Sequence, residues 1–121
     1  MARDVAGMRI ARTDSGQASV ELLALLPALG LAIALAWQAL VAGETWWLAT
    51  VAAREAARAA AIDGGDPARA ASAALPSPFA EGARVRVTRD GAATVRIPIP
   101  AVVGGVALGS ATGHARMEPQ R

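Results

Sequence analysis

"SGQASVELLALLP", Ser15 to Pro27, is the stretch whose reading decides the fold. Its glutamate, Glu21, stands directly against a long run with no other charge. From Leu22 to Gly43 no residue is charged, and Gln38 is the only strongly polar one. A helix of about 20 apolar residues, rising about 1.5 Å per residue, matches a hydrocarbon core of about 30 Å. A chain of 121 residues has nothing bulky enough to wrap such a helix on every side. The run therefore predicts a membrane span over 22–43 rather than a buried soluble helix. Pro27 and Gly30 lie inside it, which membrane helices tolerate, and Pro27 is expected to bend the helix near Leu23. Trp37 belongs to the same run. Trp46 and Trp47 follow at the depth where aromatic belts form, and Glu44 marks the outer edge.

Orientation follows from the basic residues flanking the span. Arg3, Arg9 and Arg12 precede it, and Arg54 and Arg58 follow. The narrow N-terminal excess predicts a cytoplasmic N-terminus and an extracytoplasmic C-terminal half. A cleaved secretory signal is the competing reading, since "ALA" at Ala34 to Ala36 offers small residues for a signal peptidase. The apolar run is longer than such a signal needs, and a glutamate follows the basic leader.

The remaining composition excludes several classes. More than half of the residues are apolar, at 54%, with one phenylalanine and no tyrosine, so a large aromatic core is not available. The basic residues are all arginine and the formal charge is only +2, so there is no broad positive field. The arginines are scattered along the chain and form no nucleic-acid motif. With no cysteine there is no disulfide, thiolate nucleophile or ordinary zinc site. His114 is a lone histidine, expected at the surface and not in a catalytic or metal site.

The helical pattern continues past the span. "ETWWLATVAAREAARAAAIDGGD" holds strong helix formers until Gly64 and Gly65, so one helix is expected over 17–62. Such a helix is about 69 Å long and extends well outside a bilayer. At about 100° per residue, Glu44, Thr50, Arg54, Glu55 and Arg58 share one side. Trp46, Ala49, Ala53, Ala56 and Ala60 share the other, a smooth face suited to close packing. Asp66-Pro67 reads as an N-cap with proline in first helical position, opening a short helix to about Leu75 that "PSP" at Pro76 to Pro78 ends.

"ARVRVTRDGAATVRIPIP" reads as a β-hairpin turning at Asp90-Gly91. A two-residue turn would set Val87 against Thr94. A three-residue loop that includes Ala92 sets Val87 against Val95 and Val85 against Ile97, giving one apolar face, and is preferred. Pro98 and Pro100 suggest an edge strand or one that soon ends. "GGVALGSATG", Gly104 to Gly113, reads as loop and edge strand, with a third strand from about Ala107 to Met117. So small a sheet is expected to lean on the alanine face of the long helix. The fold class is α+β: a long N-terminal transmembrane helix extending outside the membrane, then a short helix and a small antiparallel sheet packed on it.

These residues resemble the N-terminus of type IV pilins and pseudopilins: a short basic leader, Gly16, four residues, Glu21 and a long apolar helix. "GQASVELLALLP" with a prolonged helix and a small β-rich tail looks most like the TadE-like branch, which serves tight-adherence pili. The resemblance is sharp over 14–43 and architectural after that. It implies that a prepilin peptidase removes a cytoplasmic leader, 1–16, by cutting between Gly16 and Gln17. It implies further that Glu21, fifth in the mature chain, serves subunit assembly. The implied partners are that peptidase, other pilin subunits, a membrane platform protein and, indirectly, an assembly ATPase, with membrane lipid around the span. No cofactor or catalytic activity is implied. Gln17 stands where many major pilins have phenylalanine, and the tail lacks the cysteine pair of many large pilins, so a minor or pseudopilin role fits better. The chemistry of the spacing agrees. A glycine leaves a peptidase room to approach the backbone. The amine created by cleavage is mostly charged near neutral pH and can pair with a neighbouring subunit's carboxylate. An uncleaved single-span anchor that binds a membrane partner is the alternative. An enzyme has little support, because the tail offers no Ser/His/Asp set and no phosphate loop.

Overall fold

Strong helix formers, with no charge from Leu22 to Gly43, carry one helix, α1 (Asp14–Ala60), through the whole apolar run. The computed structural model describes residues 14–101 and 104–118. Residues 1–13, most of the expected leader, lie outside them. The helix begins before Gln17 and runs on through Pro27, which lacks the N–H that the Leu23 carbonyl would otherwise receive. It ends at Ala60, and Gly64 turns the chain with φ near 78°.

The chain divides into two units, one through Ile33 and one from Ala34. In the first, α1 is apolar on every side from Leu22 to Ile33 and leaves that surface exposed. Its eight large side chains, Val20, Leu22, Leu23, Leu25, Leu26, Leu29, Leu31 and Ile33, are all more than half exposed. At about 2 kcal/mol for each such side chain removed from water, on the order of 15 kcal/mol is left unrealised inside the chain. That rivals the whole stability of a small domain. This is a helix long and apolar enough to cross a membrane.

The second unit holds the core. Thr45, Leu48, Ala49, Ala52, Ala53, Ala56 and Ala57 are buried along one face of α1 at three- and four-residue spacing. Against them lie Ala93, Val95, Ile97 and Ala111 of the sheet, with Ala71 and Leu75. The buried Thr45 hydroxyl donates to the Val41 carbonyl of its own helix at 2.7 Å, so its burial leaves no orphan. Trp46 is not buried with this face, contrary to the sequence expectation, and is 53% exposed. The reason is separation. At Gly113 a single added Cβ would overlap the Ala49 carbonyl, so sheet and helix backbone touch. Alanines and a threonine fit such a gap and an indole does not.

Two short helices follow. α2 (Pro67–Ala73) starts as expected: Asp66 Oδ1 accepts from the Ala68 and Arg69 amides at 3.0 and 3.1 Å. It stops before Leu75. "PSP" does more than end it, because Pro78 falls in the first turn of a further helix, α3 (Ser77–Ala80), where a missing N–H costs nothing.

The sheet has three antiparallel strands in the order β1 (Arg84–Val87), β2 (Ala92–Pro100), β3 (Ala107–Arg116). The β1–β2 register corrects the expected one. Val85 faces Val95 and Val87 faces Ala93, two residues from the preferred pairing. The loop does have three residues, but they are Arg89-Asp90-Gly91. Gly91 takes φ near 77°, and the Thr88 amide donates to the Ala92 carbonyl at 2.9 Å. A turn followed by a left-handed glycine is a favoured three-residue hairpin, and it needs the glycine last. A shift of two keeps every side chain on its face, so the apolar surface survives. Thr88, with backbone amides and the Arg116 guanidinium 3.5 Å away, holds the exposed Asp90 carboxyl below its usual range.

β2 is the central strand despite its prolines. Because Ala92 hydrogen-bonds toward β1, Thr94, Arg96, Pro98 and Pro100 turn their backbone groups to the same side. β1 ends at Arg84, opposite Arg96. Pro98 and Pro100 therefore lie where no β1 carbonyl needs a donor, while the pairing to β3 runs on past Pro98 to Pro100.

Candidate functional site

The residues singled out by the sequence lie on α1. Gly16, Gln17 and Glu21 are exposed within its first turns. A Cβ added at Gly16 would meet nothing within 4 Å, and Gly16 is not among the residues with positive φ. Nothing among the described residues requires a glycine there, and glycine weakens a helix relative to alanine. Glu21 has no ion pair or hydrogen bond among the described residues, and its neighbours one turn away on α1 are Gln17, Ala18, Ala24 and Leu25, none of them charged. A carboxylate in that position accepts hydrogen bonds and attracts a cation, and α1 supplies neither.

Leu22, Pro27 and Gly30 are exposed on the same helix, as are Trp37, Glu44, Trp46 and Trp47. Gln38 differs. Its Nε2 donates to the Pro100 carbonyl at 3.1 Å, which ties the end of β2 to the apolar run. Ala34, Gln38, Val41 and Ala42 form a half-buried face leading into the buried Thr45. The last turns of the segment predicted to span the membrane thus carry part of the sheet's contact.

The outward face of the sheet holds a feature the linear sequence concealed. Arg84 lies directly opposite Arg96 with Arg86 beside them. They line a shallow open concavity with Thr94 and Thr112. Like charges face to face oppose pairing, and the Arg96 Nε–H donates to Ser110 Oγ at 2.8 Å. Such a face can hold anionic groups. Its signal was the Arg-x-Arg alternation of β1, which puts both arginines on one side; Arg96 joins only through the register. His114 is exposed, with Nδ1 3.2 Å from the Thr94 hydroxyl. Among the described residues no three His, Asp or Glu gather to hold a metal ion.

Comparison with protein-family models, with curated proteins and with solved structures gives no match for this chain.

Proposed function

We propose that this chain is a TadE-like minor pilin or pseudopilin. In this reading it takes part in assembling a tight-adherence or type IV-like pilus or a related secretion apparatus, and carries no catalysis of its own. The observation that carries the reading is a pair on α1: a glycine that nothing among the described residues requires, and five residues later a carboxylate with no ion pair or hydrogen bond among them, on an exposed stretch of the helix. Both are costs inside the isolated chain. Both have uses outside it, Gly16 for a prepilin peptidase and Glu21 for the amine exposed on a neighbouring pilin subunit.

The half-buried face at Gln38 moves the outer end of the span from Gly43 toward Trp37. Counting about 20 residues back from Trp37 reaches Gln17. Glu21 then sits about one turn inside the hydrocarbon edge, where an unpaired carboxylate is costly. The platform protein and assembly ATPase follow from the family resemblance. The chain sits in the cytoplasmic membrane with its N-terminus inside.

Processing tests the reading. Gly16→Leu should block maturation, leaving a product whose intact mass retains the leader, while the native chain is cut. A Gly16→Leu chain cut like the native one would remove the peptidase from the account and favour an uncleaved single-span anchor.

Topology gives a second test. The arginine excess before the span predicts that the region after Trp47 lies outside the cytoplasm. Protease added to intact spheroplasts should remove a tag fused after Arg121. A tag that survives there and is digested only after lysis would mean the reverse orientation.

A further inference from the structure

We propose that the β2–β3 turn is a second membrane contact. It seats Gly104, Gly105, Val106 and Leu108 at the boundary between lipid headgroups and acyl chains, beside the point where α1 leaves the bilayer. The proposal rests on reading α1 as a membrane span. Three observations carry it. The Gln38–Pro100 hydrogen bond fixes the end of β2 against the apolar part of α1. Beyond it no described residue from Ala101 to Gly109 is charged, and Val106 and Leu108 are 68% and 66% exposed. Gly104 and Gly105 both take positive φ, which gives a tight turn with little side-chain bulk.

Lipid fits this tip better than a protein cover because of its position. The apolar residues continue the uncharged surface of α1 at the level of Gln38, and the arginines of the sheet, Arg84, Arg86, Arg96 and Arg116, all lie on the far side of Pro98. The depth has a limit as well. β3 is an edge strand whose free backbone groups cannot enter hydrocarbon unpaired, so the tip stops at the interface. Exposed apolar residues on a shallow insertion add affinity in proportion to the area they bury.

The absence of native cysteine makes the test direct. Full-length Val106→Cys, Leu108→Cys, Leu29→Cys and Arg86→Cys chains are labelled with an environment-sensitive fluorophore. They are then reconstituted in phosphatidylcholine–phosphatidylglycerol vesicles with or without brominated acyl chains. Labels at 106 and 108 should shift to the blue and be quenched by brominated lipid, approaching the Leu29 control. The label at 86 should remain water-like and unquenched. Labels at 106 and 108 that behave like the one at 86, while 29 is quenched, overturn the proposal alone. So do labels shielded from water but untouched by brominated lipid, since protein would then cover the turn. An unquenched label at 29 overturns the span itself, and this inference with it.

Discussion

A Glu21→Val chain should insert into the membrane and be cut after Gly16, yet fail to hold its pilin partners. Replacing a charged residue near the end of an apolar helix by valine favours insertion. Nothing packed inside the chain depends on Glu21, which is exposed, so the tail should fold as before. The loss falls on assembly. In the proposed stack of subunits the amine of one chain would meet the carboxylate of the next, and stripping one member from such a pair leaves a buried charge alone at about 3–5 kcal/mol. That is more than a hundredfold in association, enough to empty a co-purification. Glu21→Gln should be intermediate, since it accepts a hydrogen bond without carrying charge. A Glu21→Val protein that is processed, inserted and still recovers its partners at the native level would make Glu21 a marker of the membrane edge only.

The second large effect belongs to the fold. Gly113→Val should pry the sheet from α1, because the new side chain falls on the backbone of Ala49 and Thr50, which cannot step aside as a flexible side chain would. Overpacking of this kind costs about 1–3 kcal/mol. The core it disturbs is mostly alanine, with Ile97 and Val95 its largest fully buried apolar side chains. In detergent the variant should unfold its tail at a clearly lower urea concentration and lose protease resistance after Ile62. Gly43→Ala is the matched control. An added Cβ there meets nothing within 4 Å, so its helix should gain up to about 1 kcal/mol. Unchanged unfolding of Gly113→Val would mean that the close approach is not what seats the sheet.

How far the sequence carried the fold differs from residue to residue, for physical reasons. The long helix was legible because its signals are local: no charge from Leu22 to Gly43, good helix formers, and glycines at the stop. Asp66-Pro67 was legible for the same reason, a cap whose acceptor reaches its own helix. The hairpin was legible in its faces but not its register. Alternation at period two fixes which side each valine takes, whereas pairing depends on which residue of the turn becomes left-handed. Gly91 closing the loop is a backbone requirement that hydrophobic matching overlooked. Gly113 was read as part of a glycine-rich loop and edge strand, because contact with α1 is made across sequence-distant elements. Trp46 was misplaced by the same contact: its helical angle was right, but the gap was too narrow for it. Gln38 looked like a polar residue adrift in a span and is instead tied to Pro100. Of the candidate site, Gly16 and Glu21 were visible as spacing. What the structure adds is that nothing among the described residues requires either. The arginine face was visible only in the Arg84-Val85-Arg86 alternation, since Arg96 joins it through strand pairing.

The central claim, that this chain is a processed pilin-like subunit, meets its most direct test in the intact mass and N-terminal sequence of the protein isolated from its own membrane. The account predicts a chain that begins at Gln17, with the leader removed after Gly16. A chain that begins at Met1 or Ala2 would contradict it, and one that begins near Trp37 would point instead to a secretory signal.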